Sequence, residues 1–360
     1  MRDEKPGKVC AGHDTASHAF IRPDFDPQKF GDFLASYFGR KAEVQLERIS
    51  GGQSNPTYFV TFDDQRMVLR KKPSGPILPG AHAIEREFRV LSALYPTDVP
   101  VPRPILLHRD PETIGTPFYL MDRIEGRVFT DCALPELPPE ARTDVYLNMA
   151  DAMAKLHAVR PDAVGLGDFG RPGNYFERQI RRWTKQWRES PSERIAALDE
   201  LADWLPQHLP SDDGAVSIAH GDFRLGNMMF HPTEPRVVAI LDWELSTLGH
   251  PLADVGFCSM PWHTAPTEYG GILGLDIEGL KLPPEHTFLA RYYASATLTA
   301  RLQPFHIAFA LFRFAVIIIG IADRVRAGNA TGANAQEIIP LSACFAARGL
   351  DVAYGRETLI

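Results

Sequence analysis

Cysteine is scarce and unpatterned in this 360-residue chain: Cys10, Cys132, Cys258 and Cys344 share no C-x-x-C spacing. That excludes the common zinc cages and a disulfide framework, leaving reduced thiols as the expectation. Neither sign of charge dominates, because 38 Lys and Arg stand against 45 Asp and Glu for a net of −7. A protein that coats nucleic acid is thereby disfavoured, although a local basic patch is not. The opening stretch, MRDEKPGKVCAGHD, has no apolar core, so a cytoplasmic location is expected rather than secretion. The longest hydrophobic run, Phe305 to Ala322, is broken by Arg313. A membrane span needs about 18 uncharged residues, so a buried C-terminal helix is expected there and no membrane partner. Internal repeats and low-complexity tracts are also missing.

The length suits about two units at roughly 150 residues each. After a polar tail (1–22), the block 23–121 is strand-rich: VQLERISGGQSNPTYFVTF is two β-type runs around a Gly/Ser/Asn/Pro turn, and RMVLRKK supplies a third. A proline-rich loop leads to AIEREFRVLSALY, with Ile84, Phe88, Leu91 and Leu94 at helical spacing. The connector VPVPRPILL and the strand-like TPFYLM follow. The block 122–360 is mainly helical, as in YLNMADAMAKLHAV and NYFERQIRRWTKQW, with one β-type island, VSIAHGDFRLGNMMF and VVAILDWE. The expected class is α+β: a small sheet carrying one helix, then a larger helical unit, with a ligand cleft between them.

The island holds the chemistry. His220-Gly221-Asp222 is followed five residues after the aspartate by Asn227, and Asp242 ends an apolar strand-like run. Phosphoryl transfer needs a carboxylate to take the proton of the attacking hydroxyl and hard oxygen ligands for Mg²⁺, and little else from the protein. Asp222 as base, with Asn227 and Asp242 as metal ligands, meets that need. The step from Asp to Asn equals that of the protein-kinase catalytic loop, and Asp242 takes the place of the metal-binding aspartate downstream. A hydrolase metal site drawn from His220, Asp222, Asp242, His250 and Asp254 lacks any H-E-x-x-H or H-x-H spacing and leaves Asn227 unexplained.

HGDFRLGNMMF with ILDWELSTLGHPLADVGF closely resembles the signature of the aminoglycoside phosphotransferase family, which has a bilobal protein-kinase-like fold. The similarity runs from about Phe30 to Ala322. GQSNPTYFVT, LRKKPSG, AHAIEREFRVLSAL, VPVPRP and GTPFYLMDRIEGRVF resemble the branch found alone in bacteria or fused to acyl-CoA dehydrogenases in animals. The resemblance implies a nucleotide-binding lobe over 23–121, a hinge at 122–126, and a catalytic and substrate-binding lobe to residue 360.

By position, the turn Ser50 to Thr57 would cover the phosphates, with only Gly51, Gly52 and the Ser54 hydroxyl to cradle them. Arg70 would hold the α and β phosphates in the role of the kinase lysine, with Lys71 or Lys72 as substitutes after a strand shift. Its partner would be Glu87, seventeen residues on and on the apolar side of its helix. Adenine would be read by the Asp122 carbonyl and Ile124 N–H, with Met121 behind the ring. His220 and Asp254 would be scaffold for the catalytic loop. His157, on an apolar helix face, is read as a core residue, and Glu244 either supports a second metal or faces solvent.

The loop reads H-G-D rather than H-R-D, Asp242-Trp243-Glu244 lacks the DFG glycine, and no A-P-E follows. These absences disfavour a protein kinase and leave a small-molecule kinase using ATP and Mg²⁺. Arg171 to Arg188 carries six basic residues against Glu177, a local balance of +5. If that helix faces the cleft, Arg178, Arg182 and Trp183 are candidate substrate contacts and the acceptor is anionic; otherwise it is a solvated basic face. The family branch implies a hydroxylated acyl-CoA-like metabolite and a functional link to an acyl-CoA dehydrogenase. The alternatives are an aminoglycoside or amino-alcohol kinase, and a non-catalytic nucleotide-binding partner of a dehydrogenase.

Overall fold

Alternation of apolar residues along β2 (Thr57–Phe62) and β3 (Gln65–Lys71) sends Tyr58, Val60, Phe62, Met67 and Leu69 to one face of a sheet. The computed structural model describes residues 23–49, 55–74, 83–171, 173–326 and 335–356. The sheet is antiparallel throughout and is completed by β1 (Val44–Arg48), β4 (Pro104–His108) and β5 (Phe118–Asp122), in the order β1-β2-β3-β5-β4.

Two helices, not one, serve this sheet. α1 (Pro27–Phe38) packs Phe30 and Leu34, both fully buried, against the face formed by Tyr58, Leu69 and Phe118. It begins where the Asp26 side chain accepts the Gln28 N–H, with Pro27 in the first turn, and it ends at Gly39 in the left-handed region. These end signals open the block 23–121, which the sequence marks as strand-rich. α2 (Ile84–Leu94) buries Ile84, Val90, Leu91 and Leu94 in a second, larger cluster shared with the helical part of the chain.

That part contains α3 (Pro139–Ala158), α4 (Tyr175–Glu189), α5 (Ala196–Gln207), α6 (Leu252–Ser259), α7 (Glu285–Ser295), α8 (Pro304–Arg326) and α9 (Ala335–Ala353). The β-type island is two antiparallel pairs: β6 (Ser217–Ala219) with β9 (Thr247–Gly249), and β7 (Met228–Phe230) with β8 (Val237–Ile240). α8 is long and apolar enough to cross a membrane, yet 83% of its most apolar window is buried inside the protein. Each buried Phe or Ile of such a helix contributes about 1.5–3 kcal/mol. One desolvated guanidinium costs several kcal/mol, so α8 tolerates Arg313 in its middle. The fold is α+β, with the expected small sheet, whose five strands include β4 from the proline-rich connector, and a helical remainder.

Candidate active site

The loop after β6 turns through His220-Gly221-Asp222 into a 3-10 turn, Leu225–Asn227. Glycine is needed at 221, where φ is +84° and a Cβ would stand 2.8 Å from the Leu245 carbonyl oxygen. Below the loop, the buried Asp254 accepts the His220 N–H on Oδ2 (2.6 Å) and the Gly221 N–H on Oδ1 (2.8 Å). Burial pushes this carboxyl up, but the hydrogen bond and charge of His157 and the Gly221 N–H hold it below its ordinary value. His157 Nε2 lies 3.3 Å from Asp254, and its Nδ1 lies 2.8 Å from the Tyr292 hydroxyl. The core histidine of the sequence reading is therefore a buttress of the loop.

His220 Nδ1 accepts the Asp222 N–H at 3.2 Å, so Nε2–H donates to the Leu241 carbonyl at 2.8 Å. This joins the Asp222 loop to the segment that presents Asp242. A further restraint comes from α8, where Arg313 Nη2 donates to the Gly221 carbonyl at 2.5 Å.

Asp222 and Asn227 are brought together: the Asn227 amide donates to the Asp222 carboxylate at 2.6 Å and to its backbone carbonyl at 2.9 Å. With its side-chain N–H groups so used, Asn227 Oδ1 is left to accept or to coordinate. Arg224 Nε stands 3.4 Å from the carboxylate oxygens of Asp222. Burial opposes the charge of this guanidinium, but Asp222, Tyr269 and Asp242 raise its pKa above the ordinary value.

Asp242 follows β8 at φ +62°, a conformation that costs a non-glycine residue roughly 1–3 kcal/mol. Its carboxylate receives Arg70 Nη2 at 3.0 Å. Arg70 Nε in turn lies 2.8 Å from Glu87 Oε2, an ion pair whose N–H is not aimed as a hydrogen bond, and Glu244 lies 4.0 Å from Nη2. Glu87 is buried; Asn55 donates to it at 2.9 Å and the Tyr119 hydroxyl at 3.0 Å. Burial disfavours the Arg70 cation, but Glu87 first, then Tyr119, Asp242 and Glu244, raise its pKa, so it stays charged.

The neighbouring lysines are placed elsewhere. Lys71 is buried on the α1 face and pairs with Asp24 at 2.6 Å, and Lys72 pairs with Glu85 at 2.7 Å. Gly51, Gly52 and Ser54 lie outside the described residues. Met121 is opposite Val68, and Val68 opposite Phe59, in one row across the sheet on the Arg70 face. The Asp122 carboxylate is taken by Arg103 at 2.8 and 3.0 Å, and its N–H donates to the Arg103 carbonyl at 2.9 Å. Among the described residues, nothing is hydrogen-bonded to the Ile124 N–H.

On α4 the basic stretch divides. Arg181, Lys185 and Arg188 pair with Glu177, Glu189 and Asp203 in solvent. Arg178 donates to the Gly173 carbonyl. Arg182 lies over the Trp183 ring, 4.8 Å from its centroid, while Trp183 is only 5% exposed and donates from Nε1 to Gln179 at 3.1 Å. Trp183 therefore stands behind Arg182 as core rather than beside it.

Several site residues escaped the sequence reading. Arg224 had a weak signal, a basic residue two after the aspartate; Arg313 had a stronger one, the single charge in an apolar run. Asn55, Tyr119 and the role of His157 had none, because their partners are distant in the chain.

Three comparisons bear on this geometry. A model described as "Phosphotransferase enzyme family" matches residues 45–289. Acyl-CoA dehydrogenase family member 10 of Mus musculus is 40% identical over 318 residues, covering 86% of this chain and 29% of that protein. Member 11 of Homo sapiens is 36% identical over 332 residues, covering 90% of this chain and 42% of its own length. The chain thus spans less than half the length of these curated relatives. Among solved structures, a Ralstonia eutropha protein provisionally described as an aminoglycoside phosphotransferase has a TM-score of 0.83 and 44% identity, over 92% of this chain and 99% of that one. An aminopropanol kinase aligns with a TM-score of 0.56 over 87% of this chain and 93% of its own, at 18% identity. An aminoglycoside phosphotransferase in complex with ADP and hygromycin B aligns at 0.59 over 91% and 99%, at 14% identity. The last two show the shared fold.

Proposed function

Because the chain belongs to the phosphotransferase enzyme family, we propose that this small-molecule kinase uses ATP and Mg²⁺ to phosphorylate a hydroxyl of an anionic, acyl-CoA-like metabolite. The observation that carries the reading is the Asp222 carboxylate, oriented by Asn227 at 2.6 Å. On the opposite side of the site, Arg70 joins Glu87 to Asp242. In the proposed step the acceptor oxygen attacks the γ-phosphorus as its proton passes to Asp222, and the bond to the β-phosphate oxygen breaks to release ADP.

Asn227 and Asp242 suit Mg²⁺: one amide oxygen and one carboxylate are hard donors, and the ion takes its other ligands from phosphates and water. When bound, the ion would neutralise charge on the phosphates. Arg70, held charged by Glu87, would bind phosphate oxygens, and the Ile124 N–H, unbonded among the described residues, would meet adenine.

The acceptor class rests on the basic α4 and on the acyl-CoA dehydrogenase names of relatives, with which a functional link is part of the proposal. Amino-alcohol phosphorylation is the second reading, favoured by the aminopropanol kinase fold neighbour. Phosphate transfer from ATP to hydroxyacyl-CoAs, hydroxy acids, aminoglycosides and amino alcohols separates them: stimulation by the last two groups alone overturns the first reading. Asp222→Asn should lower turnover by about 10²–10⁴-fold while ATP still binds by calorimetry. Unchanged turnover would remove Asp222 from the role of base.

A further inference from the structure

Among the described residues, two neighbouring guanidiniums, one of them against the catalytic loop, have no acid to answer them. Arg313 is 5% exposed; its Nη2 donates to the Gly221 carbonyl, and among the described residues its Nε has no hydrogen-bond partner. Arg182 and Arg313 lie over the same Trp183 ring, at 4.8 and 5.6 Å from its centroid. Among the described residues neither meets a carboxylate. Arg182 is open to solvent on one side and crowded on the other, where burial and then the charge of Arg313 depress its pKa.

Tyr175 lies in the same place. Its ring is buried, and among the described residues its hydroxyl makes no hydrogen bond. The charges that reach it are those of Arg313, Asp254, Arg182 and Arg178. The one acid, Asp254, is already committed to the His220 and Gly221 amides and to His157. Like charges crowded together in a partly desolvated site are unfavourable unless an anion completes them.

We propose that Arg182, Arg313 and the Tyr175 hydroxyl form the acceptor's anion subsite, one residue from the catalytic aspartate through the Gly221 carbonyl. The inference rests on the kinase reading above. The subsite takes carboxylate or phosphate oxygens, for which guanidinium donors are suited. From Arg182 an open groove of about 410 Å³, flanked by Lys185, Gln186 and Glu189 of α4, Ser190 at its end and Asp323 of α8, leads away and gives room for the rest of the molecule. Trp183 holds the two cations from behind.

The decisive variants are Arg182→Gln and Arg182→Glu, because Arg182 touches no backbone of the catalytic loop. Kinetics are measured with ATP and acceptor varied separately, using 3-hydroxybutanoate, 3-hydroxybutanoyl-CoA and the uncharged 3-hydroxybutanoyl-pantetheine. Arg182→Gln should raise the acceptor KM about tenfold, the loss of one charge-assisted contact, and Arg182→Glu should raise it further, with the ATP KM unchanged. An effect on the free acid assigns the subsite to a carboxylate; an effect on the CoA ester but not the pantetheine ester assigns it to phosphate. Equal effects on all three, or an unchanged acceptor KM, overturn the proposal.

If the wild type phosphorylates none of these but does phosphorylate 1-amino-2-propanol, the acceptor reading fails instead. The subsite is then judged alone by titrating inorganic phosphate with AMP-PNP and Mg²⁺ present. Weaker phosphate binding by Arg182→Glu supports it, and equal binding overturns it.

Discussion

At the scale of single residues, backbone conformation sets the carboxylates of the proposed site. Gly221 lets the chain reverse under the Leu245 carbonyl, and Asp242 accepts a left-handed conformation that aims its side chain at Arg70. Gly221→Ala should cost roughly 1–2 kcal/mol from its backbone angle alone, with more from the 2.8 Å contact. The expected outcome is a lower urea midpoint together with reduced kcat; unchanged kcat would mean that the loop can relax without moving Asp222. The triplet at 220–222, Asn227 and Asp242 were legible because their relation is local. The choice among Arg70, Lys71 and Lys72 was not. Strand parity sends Arg70 and Lys71 to opposite faces, but which face meets Glu87 depends on α1 covering the other.

At the scale of elements, α2 is pinned rather than simply packed. Arg86, next to Glu87, donates to the Phe169 carbonyl at 2.9 Å and the Ser246 carbonyl at 3.3 Å, and its guanidinium lies 4.0 Å from the Phe169 ring centroid. Ser246 ends the turn that begins after Asp242, so Arg86 ties the helix carrying Glu87 to the segment carrying Asp242. Arg86→Ala should loosen both and raise the ATP KM by about tenfold, with partial rescue by Arg86→Lys. An unchanged ATP KM would show that apolar packing of α2 suffices. α2 was readable from its spacing, and its buried Glu87 from the face it shares. α1 was missed although Asp26, Pro27 and Gly39 mark its ends, and the basic face of α4 was half neutralised by acids that include Asp203 on α5.

At the scale of the molecule, two cores share the load, one between α1 and the sheet and one running from α2 through the helical part. The larger core holds His306, whose imidazole is pushed down to about 4, by burial first and then by the charge of His250. Between pH 6.5 and 4 the unfolded chain takes up a proton that the native state refuses, so stability falls as pH falls through that window. At pH 5 the loss from this residue is about 2 kcal/mol relative to neutral pH. Urea unfolding of wild type and His306→Gln at pH 7 and 5 should show a smaller loss in the variant; equal losses would assign the acid sensitivity to other groups. By itself the sequence determined the class of the fold, the succession of strands and helices, and the spacing of Asp222, Asn227 and Asp242, because periodicity and short motifs act within a few residues. Only the tertiary structure decided that Arg70 answers Glu87, that His157 and Arg313 brace the Asp222 loop, and that Arg182 and Arg313 share one place where, among the described residues, no carboxylate pairs with either. Burial is created by segments distant in the chain, and burial decides which charges need a partner.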